Sequence, residues 1–178
     1  ALTVGDPAAD DADVAQAVRD FADFATDAGL IPALYSVHAP AMEAARAMGW
    51  TIMQVAEEAV LDLPDLAFRG KAYQDVRTAL NHANKEGIEA VWTTFRDCPA
   101  GRRDQIRATS QAWASDKPLP EMGFTLGGLA ELDDAETRLL LAVDAEGTVQ
   151  GVTSWLPVYR DGRVIGLTLD FMRRREGG

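Results

Sequence analysis

The most informative stretch of this chain for its architecture is RLLLAVDAEGTVQGVTSWLPVYRDGRVIGLTLDFMR, residues 138–173. It contains three β-prone runs, which predict strands over 138–143, 149–158 and 163–172. The runs are separated by Asp144-Ala145-Glu146-Gly147 and by Arg160-Asp161-Gly162, which carry the residues of hairpin turns. Three consecutive strands joined by tight turns predict an antiparallel meander.

The residues before the meander alternate helical patterns with short β-prone runs. The predicted elements are a helix over 13–28, a strand over 30–37, a helix over 40–48, extended chain over 50–63 as two strands or one long bent strand, a helix over 68–86, a strand over 88–95, a helix ending near 116, and a loop over 117–128 with a short strand at 124–126. In the last helix we expect Ile106, Thr109, Ser110 and Trp113 to face inward, and we assign Trp92 to the core.

This order of elements predicts an α+β fold class. Strand, helix, loop and meander form the first half of an N-acetyltransferase-like (GNAT) fold, and the earlier helix-strand-helix-strand segment resembles the closing half of another. We therefore expect two acyl-CoA N-acyltransferase-like units in tandem, with a mixed or antiparallel sheet flanked by helices. The expected boundaries are 1–66 for a partial first unit, 67–87 for a connecting basic helix, and 88–178 for a second unit that lacks its C-terminal helices.

Composition narrows the class of protein. The chain has 178 residues, of which 47% are hydrophobic and 25% charged, as in ordinary soluble domains. One cysteine, Cys98, excludes an internal disulfide and favours a reducing compartment. The net charge of −11 is concentrated in residues 1–65, which have 12 acidic and two basic residues, so an anionic partner is expected to bind the remainder. No apolar run of about 18 residues is present, which predicts no transmembrane helix.

Six short motifs follow one another in the order found in a single family. They are Gly5-Asp6-Pro7; Tyr35-Ser36-Val37; Gly49-Trp50 with Glu57-Glu58-Ala59-Val60-Leu61-Asp62-Leu63; Gly70-Lys71 with Arg77, Asn81 and Glu86-Gly87; Gly123-Phe124-Thr125-Leu126-Gly127; and Asp170-Phe171-Met172-Arg173. In this order they resemble the C-terminal catalytic domain of phosphatidylglycerol lysyltransferases, over essentially the whole chain.

The resemblance implies an aminoacyltransferase that moves an amino acid, by default lysine, from aminoacyl-tRNA to phosphatidylglycerol. It implies no cofactor, neither a metal nor acetyl-CoA. It also implies a cytoplasmic domain at the inner face of the bacterial membrane, often fused to a membrane region. In the family the Asp-x-Met-Arg strand is followed by a turn and a helix, so we expect this chain to be a truncated fragment.

The resemblance assigns Asp170 and Arg173 to the substrate site as the catalytic pair. Asp170 would hold the cationic amino acid or take the hydroxyl proton, and Arg173 would contact a phosphate or carbonyl. Residues three apart in a regular strand lie on opposite faces, so the pair can share a site only if the chain bends or leaves the strand at Met172. The alternative for the pair is a surface salt bridge.

A second group of residues is a candidate for binding tRNA or lipid phosphate. Its members are Lys71, Arg77, Asn81, Lys85 and Arg174. Arg77, Asn81 and Lys85 recur every four residues and so line one edge of a helix. The alternatives are a solvent-facing helix surface for the first four and a solvated basic tail for Arg174.

Two other functions are compatible with the fold. A CoA-dependent N-acyltransferase is disfavoured because the glycine-rich pyrophosphate loop, Q/R-x-x-G-x-G/A, is absent from the sequence. A non-catalytic GNAT-like interaction module is the other alternative. His38 and His82 have no carboxylate or serine partner evident from the sequence, and with Cys98 they match no zinc spacing, so neither a nucleophilic triad nor a metal site is predicted.

Overall fold

The computed structural model describes residues 1–115 and 127–175. The chain divides into two compact units, Ala1–Asp65 and Leu66–Gly178, which are described separately. The helix predicted to connect the units belongs to the second of them. The short strand predicted at 124–126 lies outside the described residues. Among the described residues, no helix has both the length and the apolar character that crossing a bilayer requires.

The first unit is built from two strands and two helices. They are β1 (Leu2–Val4), α1 (Val14–Asp27), β2 (Ala33–Tyr35) and α2 (Ala39–Ala47). β1 and β2 pair in parallel, with Leu2 opposite Ala33. The apolar stripe of α1 is buried and packs against α2, so that Val14, Val18, Ala41 and Ala45 form a small core. Gly29 follows α1 with φ of +69°, the left-handed conformation that ends many helices.

The extended chain predicted over residues 50–63 is not a strand in the structure. No described residue between 51 and 63 pairs with β1 or β2, and the segment has no regular secondary structure. Its β-prone sequence alone does not make a strand, because a strand also needs a hydrogen-bonded neighbour. The prediction of one or two strands here is therefore wrong for the described structure.

The second unit has the predicted meander. Its elements are α3 (Gln74–Lys85), β3 (Glu89–Thr93), α4 (Ala100–Ser115), β4 (Arg138–Val143), β5 (Val149–Arg160) and β6 (Arg163–Arg174). The strands form one antiparallel sheet in the order β3-β4-β5-β6. This mixture of helices and antiparallel sheet confirms the α+β class.

One face of this sheet carries the core of the second unit. Leu139, Leu141 and Val152 alternate with less buried neighbours and pack with Ile106 of α4. Trp92 lies on the opposite face and is 50% exposed, so its assignment to the core is wrong. The reason is strand parity: its neighbour Val91 packs against the core, and successive side chains of a strand point to opposite faces.

Candidate functional site

A β-bulge interrupts the pairing of β5 with β6. Thr153 lies opposite Met172, and Trp155 lies opposite Leu169. Between these pairs one residue of β5, Ser154, faces two residues of β6, Asp170 and Phe171. Two residues against one is the defining feature of a bulge, which bends the strand and redirects its side chains.

The bulge changes which face of the sheet the residues of β6 occupy. Before it, Leu169 lies across from Trp155 on the face opposite the core and is 45% exposed. After it, Phe171 is fully buried, and Arg173 lies across from the core residue Val152. In a regular strand, Leu169, Phe171 and Arg173 would all share one face. The extra residue therefore brings Asp170 to the core face that Arg173 also occupies. The irregularity lies at Asp170 and Phe171, before the bend considered at Met172.

The Arg173 guanidinium packs against two aromatic rings. Its Cζ lies 3.8 Å from the ring centroid of Trp113 on α4 and 4.4 Å from that of Phe171. Nη1 donates a hydrogen bond to the carbonyl oxygen of Met172 at 2.9 Å. With a residue exposure of only 6%, Arg173 is a fixed, largely desolvated cation. Its guanidinium is therefore not at the solvent-exposed surface, where the alternative would place it.

The Asp170 carboxylate lies against the backbone of Gly127. It accepts a hydrogen bond from the Gly127 N–H, and its Oδ2 atom is buried with no hydrogen-bond partner among the described residues. A Cβ atom on residue 127 would overlap this carboxylate, so only glycine fits there without displacing Asp170. The Asp170 carboxylate thus packs directly against the Gly127 backbone.

Burial raises the pKa of the Asp170 carboxyl above its ordinary value. The Gly127 N–H opposes this rise, the negative charge of Glu131 adds to it, and the positive charge of Arg173 opposes it. Burial has the largest effect because a charged carboxylate loses solvation inside the protein. The site therefore combines a carboxylate of raised basicity with a fixed guanidinium.

The other predicted binding residues lie on different elements. Lys71 is exposed in the 3-10 turn before α3, and Asn81 and Lys85 are exposed on α3 itself. Arg77 is half-buried, and its Nη1 donates to the carbonyl oxygens of Phe68 and Gly70 at 3.1 and 2.8 Å. These bonds give Arg77 a structural use, since they tie α3 to the chain that precedes it.

Arg174 is exposed at the end of β6, where it lies across from Gly151. Because it follows Arg173 in the strand, it points to the other face of the sheet. The structure thus does not bring Arg174 to the face of the sheet that carries Asp170.

Sequence reasoning missed the neighbours that shape the site. They are Ser154, Gly127, Trp113 as a partner of Arg173, and Glu131. One signal was available: Ser154 has the parity of the core-facing Val152, and a polar residue at such a position calls for a hydrogen-bond partner. The partner is the backbone N–H of Phe171, which donates to Ser154 Oγ at 3.1 Å.

A second cluster of charged groups lies in the first unit around His38. Its Nδ1 is 2.6 Å from Asp6 Oδ2, and its Nε2 is 3.0 Å from Glu58 Oε2. The hydrogen bond to Asp6 is the main cause that raises the His38 pKa, followed by the bond to Glu58. His38 therefore has two carboxylate partners that the sequence did not reveal. With both ring nitrogens engaged, it cannot act as the base of a triad.

A cavity of about 1170 Å³ lies beside this cluster in the first unit. Residues from β2, α2 and the segment 50–58 line it, including Tyr35, Met42, Trp50 and His38. Neither Asp170 nor Arg173 contributes to its wall. Among the described residues, no group of three or more His, Cys, Asp or Glu is placed to hold a metal ion.

Comparison with known proteins places the chain within longer relatives. An uncharacterised protein of Corynebacterium glutamicum is 48% identical over 181 residues, which cover 100% of this chain and 23% of the relative. The lysylphosphatidylglycerol biosynthesis bifunctional protein LysX of Nocardia farcinica is 31% identical over 150 residues, which cover 84% of this chain and 13% of the relative. The chain thus spans less than a quarter of the length of these relatives.

Two solved structures have the same fold. L-PGS from Bacillus licheniformis superimposes with a TM-score of 0.78 at 23% identity, over 97% of this chain and 51% of that chain. The C-terminal domain of a putative lysylphosphatidylglycerol synthetase from Agrobacterium fabrum superimposes with a TM-score of 0.82 at 19% identity, over 99% of this chain and 54% of that chain. All of residues 1–178 match the family model described as phosphatidylglycerol lysyltransferase, C-terminal. The chain therefore belongs to the family of phosphatidylglycerol lysyltransferase C-terminal domains, a family of transferases.

Proposed function

We propose that this chain supplies part of a site that transfers an amino acid, lysine by family default, from aminoacyl-tRNA to phosphatidylglycerol. The observation that carries the proposal is the pairing of Asp170 and Arg173 on one face of the sheet. The two partners are then an aminoacyl-tRNA donor and an anionic lipid acceptor. Such a reaction takes place in the cytoplasm at the inner face of the membrane, which the complete protein reaches through further segments.

The chemistry is a transesterification. A glycerol hydroxyl of the lipid attacks the carbonyl carbon of the aminoacyl ester and forms a new C–O bond, while the bond to the ribose oxygen breaks. The hydroxyl proton passes to Asp170, which then gives it to the departing ribose oxygen, so that the carboxylate is regenerated. A carboxylate with a raised pKa is the stronger base for this step. The Oδ2 atom, which has no hydrogen-bond partner among the described residues, is the acceptor that we assign to this proton.

Arg173 supplies positive charge at a fixed position. Its guanidinium packs against Trp113 and Phe171 and is buried, so little reorganisation is needed when negative charge develops nearby. We assign it to the developing oxyanion of the ester or to the lipid phosphate. A lysine side chain at position 173 would carry the same charge, but its narrow ammonium group cannot stack on the two rings as the planar guanidinium does.

Lys71, in the turn before α3, and Asn81 and Lys85, on α3, are exposed and are the residues that we assign to the tRNA backbone. Arg77 contributes chiefly by holding the start of α3 in place. Arg174 is assigned to phosphate on the other face of the sheet. These assignments concern affinity, not the chemical step.

The test is transfer of radiolabelled lysine from lysyl-tRNA to phosphatidylglycerol vesicles by the complete protein. We expect Asp170→Asn to lower kcat by about 10²-fold or more, as for other general bases, and Arg173→Lys to lower it as well. Asp161→Asn, at an exposed turn position on the same hairpin, is the matched control and is expected to keep activity.

Full activity of both Asp170→Asn and Arg173→Lys would exclude this mechanism and favour a non-catalytic module. Heat stabilisation by acetyl-CoA, without stabilisation by lysyl-tRNA, would instead point to the CoA-dependent alternative.

A further inference from the structure

We propose that Ser154 is a positioning residue for the transfer site, because its hydroxyl fixes the bulge that places Asp170 on the same face as Arg173. The catalytic part of this inference rests on the proposed function. The positioning part concerns the geometry of the protein and stands on its own. Ser154 is on β5 and does not belong to any of the family motifs in the sequence.

The first step of the argument is the hydrogen-bond demand of a bulge. An extra residue in one strand leaves backbone groups out of step with the ladder of the neighbouring strand. Here the N–H of Phe171 donates to the side-chain oxygen of Ser154 at 3.1 Å, where a regular ladder would offer a backbone carbonyl. Both residues are 0% exposed, so water does not replace this acceptor. The hydroxyl is therefore what satisfies a buried donor at the bulge.

The second step is the specificity of the position. Ser154 is the residue of β5 that faces both members of the bulge. Its neighbours of the same parity, Val152 and Leu156, are apolar, as expected for the core face of a strand. A serine in this place weakens the apolar core, so its hydroxyl is better explained by the bond to Phe171 than by packing.

The third step links the bulge to Asp170. If β6 ran regularly from Arg173 backwards, Asp170 would share the outer face with Met172, which is 62% exposed. With the bulge, Asp170 reaches the Gly127 backbone and comes under the influence of the Arg173 charge. Ser154 thus acts on catalysis through Asp170 and not by contact with substrate.

The experiment compares Ser154→Ala, Ser154→Thr and Ser110→Ala in the complete protein. Ser110 is also buried in the second unit, on α4, so its variant controls for loss of a buried hydroxyl. We expect Ser154→Ala to lower kcat about 10-fold or more while KM for lysyl-tRNA stays within about twofold, since the bond affects the reacting group and not substrate binding. Ser154→Thr keeps the hydroxyl and is expected to recover most of the loss.

The second readout is the pH dependence. In the wild type, burial raises the pKa of Asp170, so release of its carboxylate to solvent lowers that pKa. In Ser154→Ala the acidic limb of the kcat profile is therefore expected to move to lower pH. The side-chain carboxyl resonance of Asp170, followed by NMR titration of the chain with ¹³C-labelled aspartate, should show the same direction without any need for activity.

The outcomes separate the two proposals. Wild-type kcat and an unchanged Asp170 titration in Ser154→Ala would overturn the positioning role, even if Asp170→Asn is inactive. Equal losses in Ser154→Ala and Ser110→Ala, with no movement of the titration, would also overturn it, because a general loss of stability then explains both. A shifted titration in Ser154→Ala together with an active Asp170→Asn would support the positioning role and refute the proposed function.

Discussion

At the scale of single residues, the site depends on the lack of a side chain at Gly127. Gly127 leaves room for the Asp170 carboxylate, whereas any Cβ would occupy the same space. Its backbone φ is not in the left-handed region, so the requirement for glycine comes from space and not from backbone conformation. This distinguishes it from Gly29, which is needed for its positive φ.

We therefore predict that Gly127→Ala lowers transfer activity strongly and destabilises the fold by about 1–3 kcal/mol, the range for overpacking a buried site. Gly101→Ala is the matched control, since Gly101 lies in α4 with open space where the methyl group would go. That control is expected to leave stability unchanged or to raise it by less than the about 0.5–1 kcal/mol of a mid-helix position, because Gly101 is the second residue of α4. Chemical denaturation of both variants measures the difference. Equal stability of the two would show that the Asp170 carboxylate moves freely.

At the scale of elements, the sequence predicts the pairing of strands well where the residues of the connecting turn determine it. The turns at Asp144 and Asp161 set the hairpins of the meander, and the structure has both. Asp144 accepts hydrogen bonds from the backbone N–H groups of Glu146 and Thr148. These partners are close in the sequence, so the turn can be predicted from its residues. The segment 50–63 could not be read in this way, because whether an extended segment pairs depends on a distant neighbour.

The bulge on β6 has the same origin in long-range structure. Periodicity within β6 predicts opposite faces for Asp170 and Arg173, and only the register against β5 reverses that prediction. The polar residue Ser154 at a core-facing position was the one feature of the sequence that indicated the bulge. Catalytic roles for Asp170 and Arg173 stay predictions until the variants are measured.

The cluster around His38 gives a prediction about pH at this scale. A neutral imidazole has one N–H, so hydrogen bonds to Asp6 and Glu58 together require the protonated ring. The His38 pKa is raised in the folded state. Its contribution to stability is therefore fully present below the unfolded pKa of about 6.5 and is lost as pH rises through the folded pKa.

We expect Glu58→Gln to reduce the stability of the chain at pH 6 and to have less effect at pH 9. Glu57→Gln is the control, since Glu57 is the exposed neighbour in the same segment. Thermal unfolding at the two pH values measures both variants. Because His38 and Glu58 are themselves largely exposed, the effect is expected to be small and to decrease with salt. A loss that is larger at pH 9 would contradict protonated His38 as its cause.

At the scale of the whole molecule, charge is distributed unevenly between the units. The first unit carries nearly all of the net charge of −11, and the second is close to neutral. Under the proposed function, the net negative charge of the first unit would repel tRNA, because Arg19 and Arg46 are its only basic residues, and most of the chain's cations lie in the second unit. Binding should therefore depend on a small number of contacts and should weaken as salt is added.

We predict that Lys85→Ala reduces the slope of log affinity against log salt for lysyl-tRNA by about one, the value for one lost phosphate contact. Arg19→Ala, on α1 of the acidic unit, is expected to leave the slope unchanged. Filter binding between about 50 and 200 mM salt provides the measurement. An unchanged slope for Lys85→Ala would remove α3 from the proposed tRNA contact.

The extra residue of β6 also affects how this strand can change in evolution. Before the bulge, Leu167 and Leu169 lie on the face of the sheet opposite the core, whereas after it Phe171 and Arg173 lie on the core face. A one-residue deletion at Asp170 would give β6 a single alternation of faces, restore a regular ladder and remove the carboxylate. A deletion nearer the hairpin tip would invert only the outer arm, where Leu167 and Leu169 are already part-exposed, and would leave Phe171 and Arg173 in place. Length variation among relatives should therefore gather at the tip of the hairpin and spare the bulge.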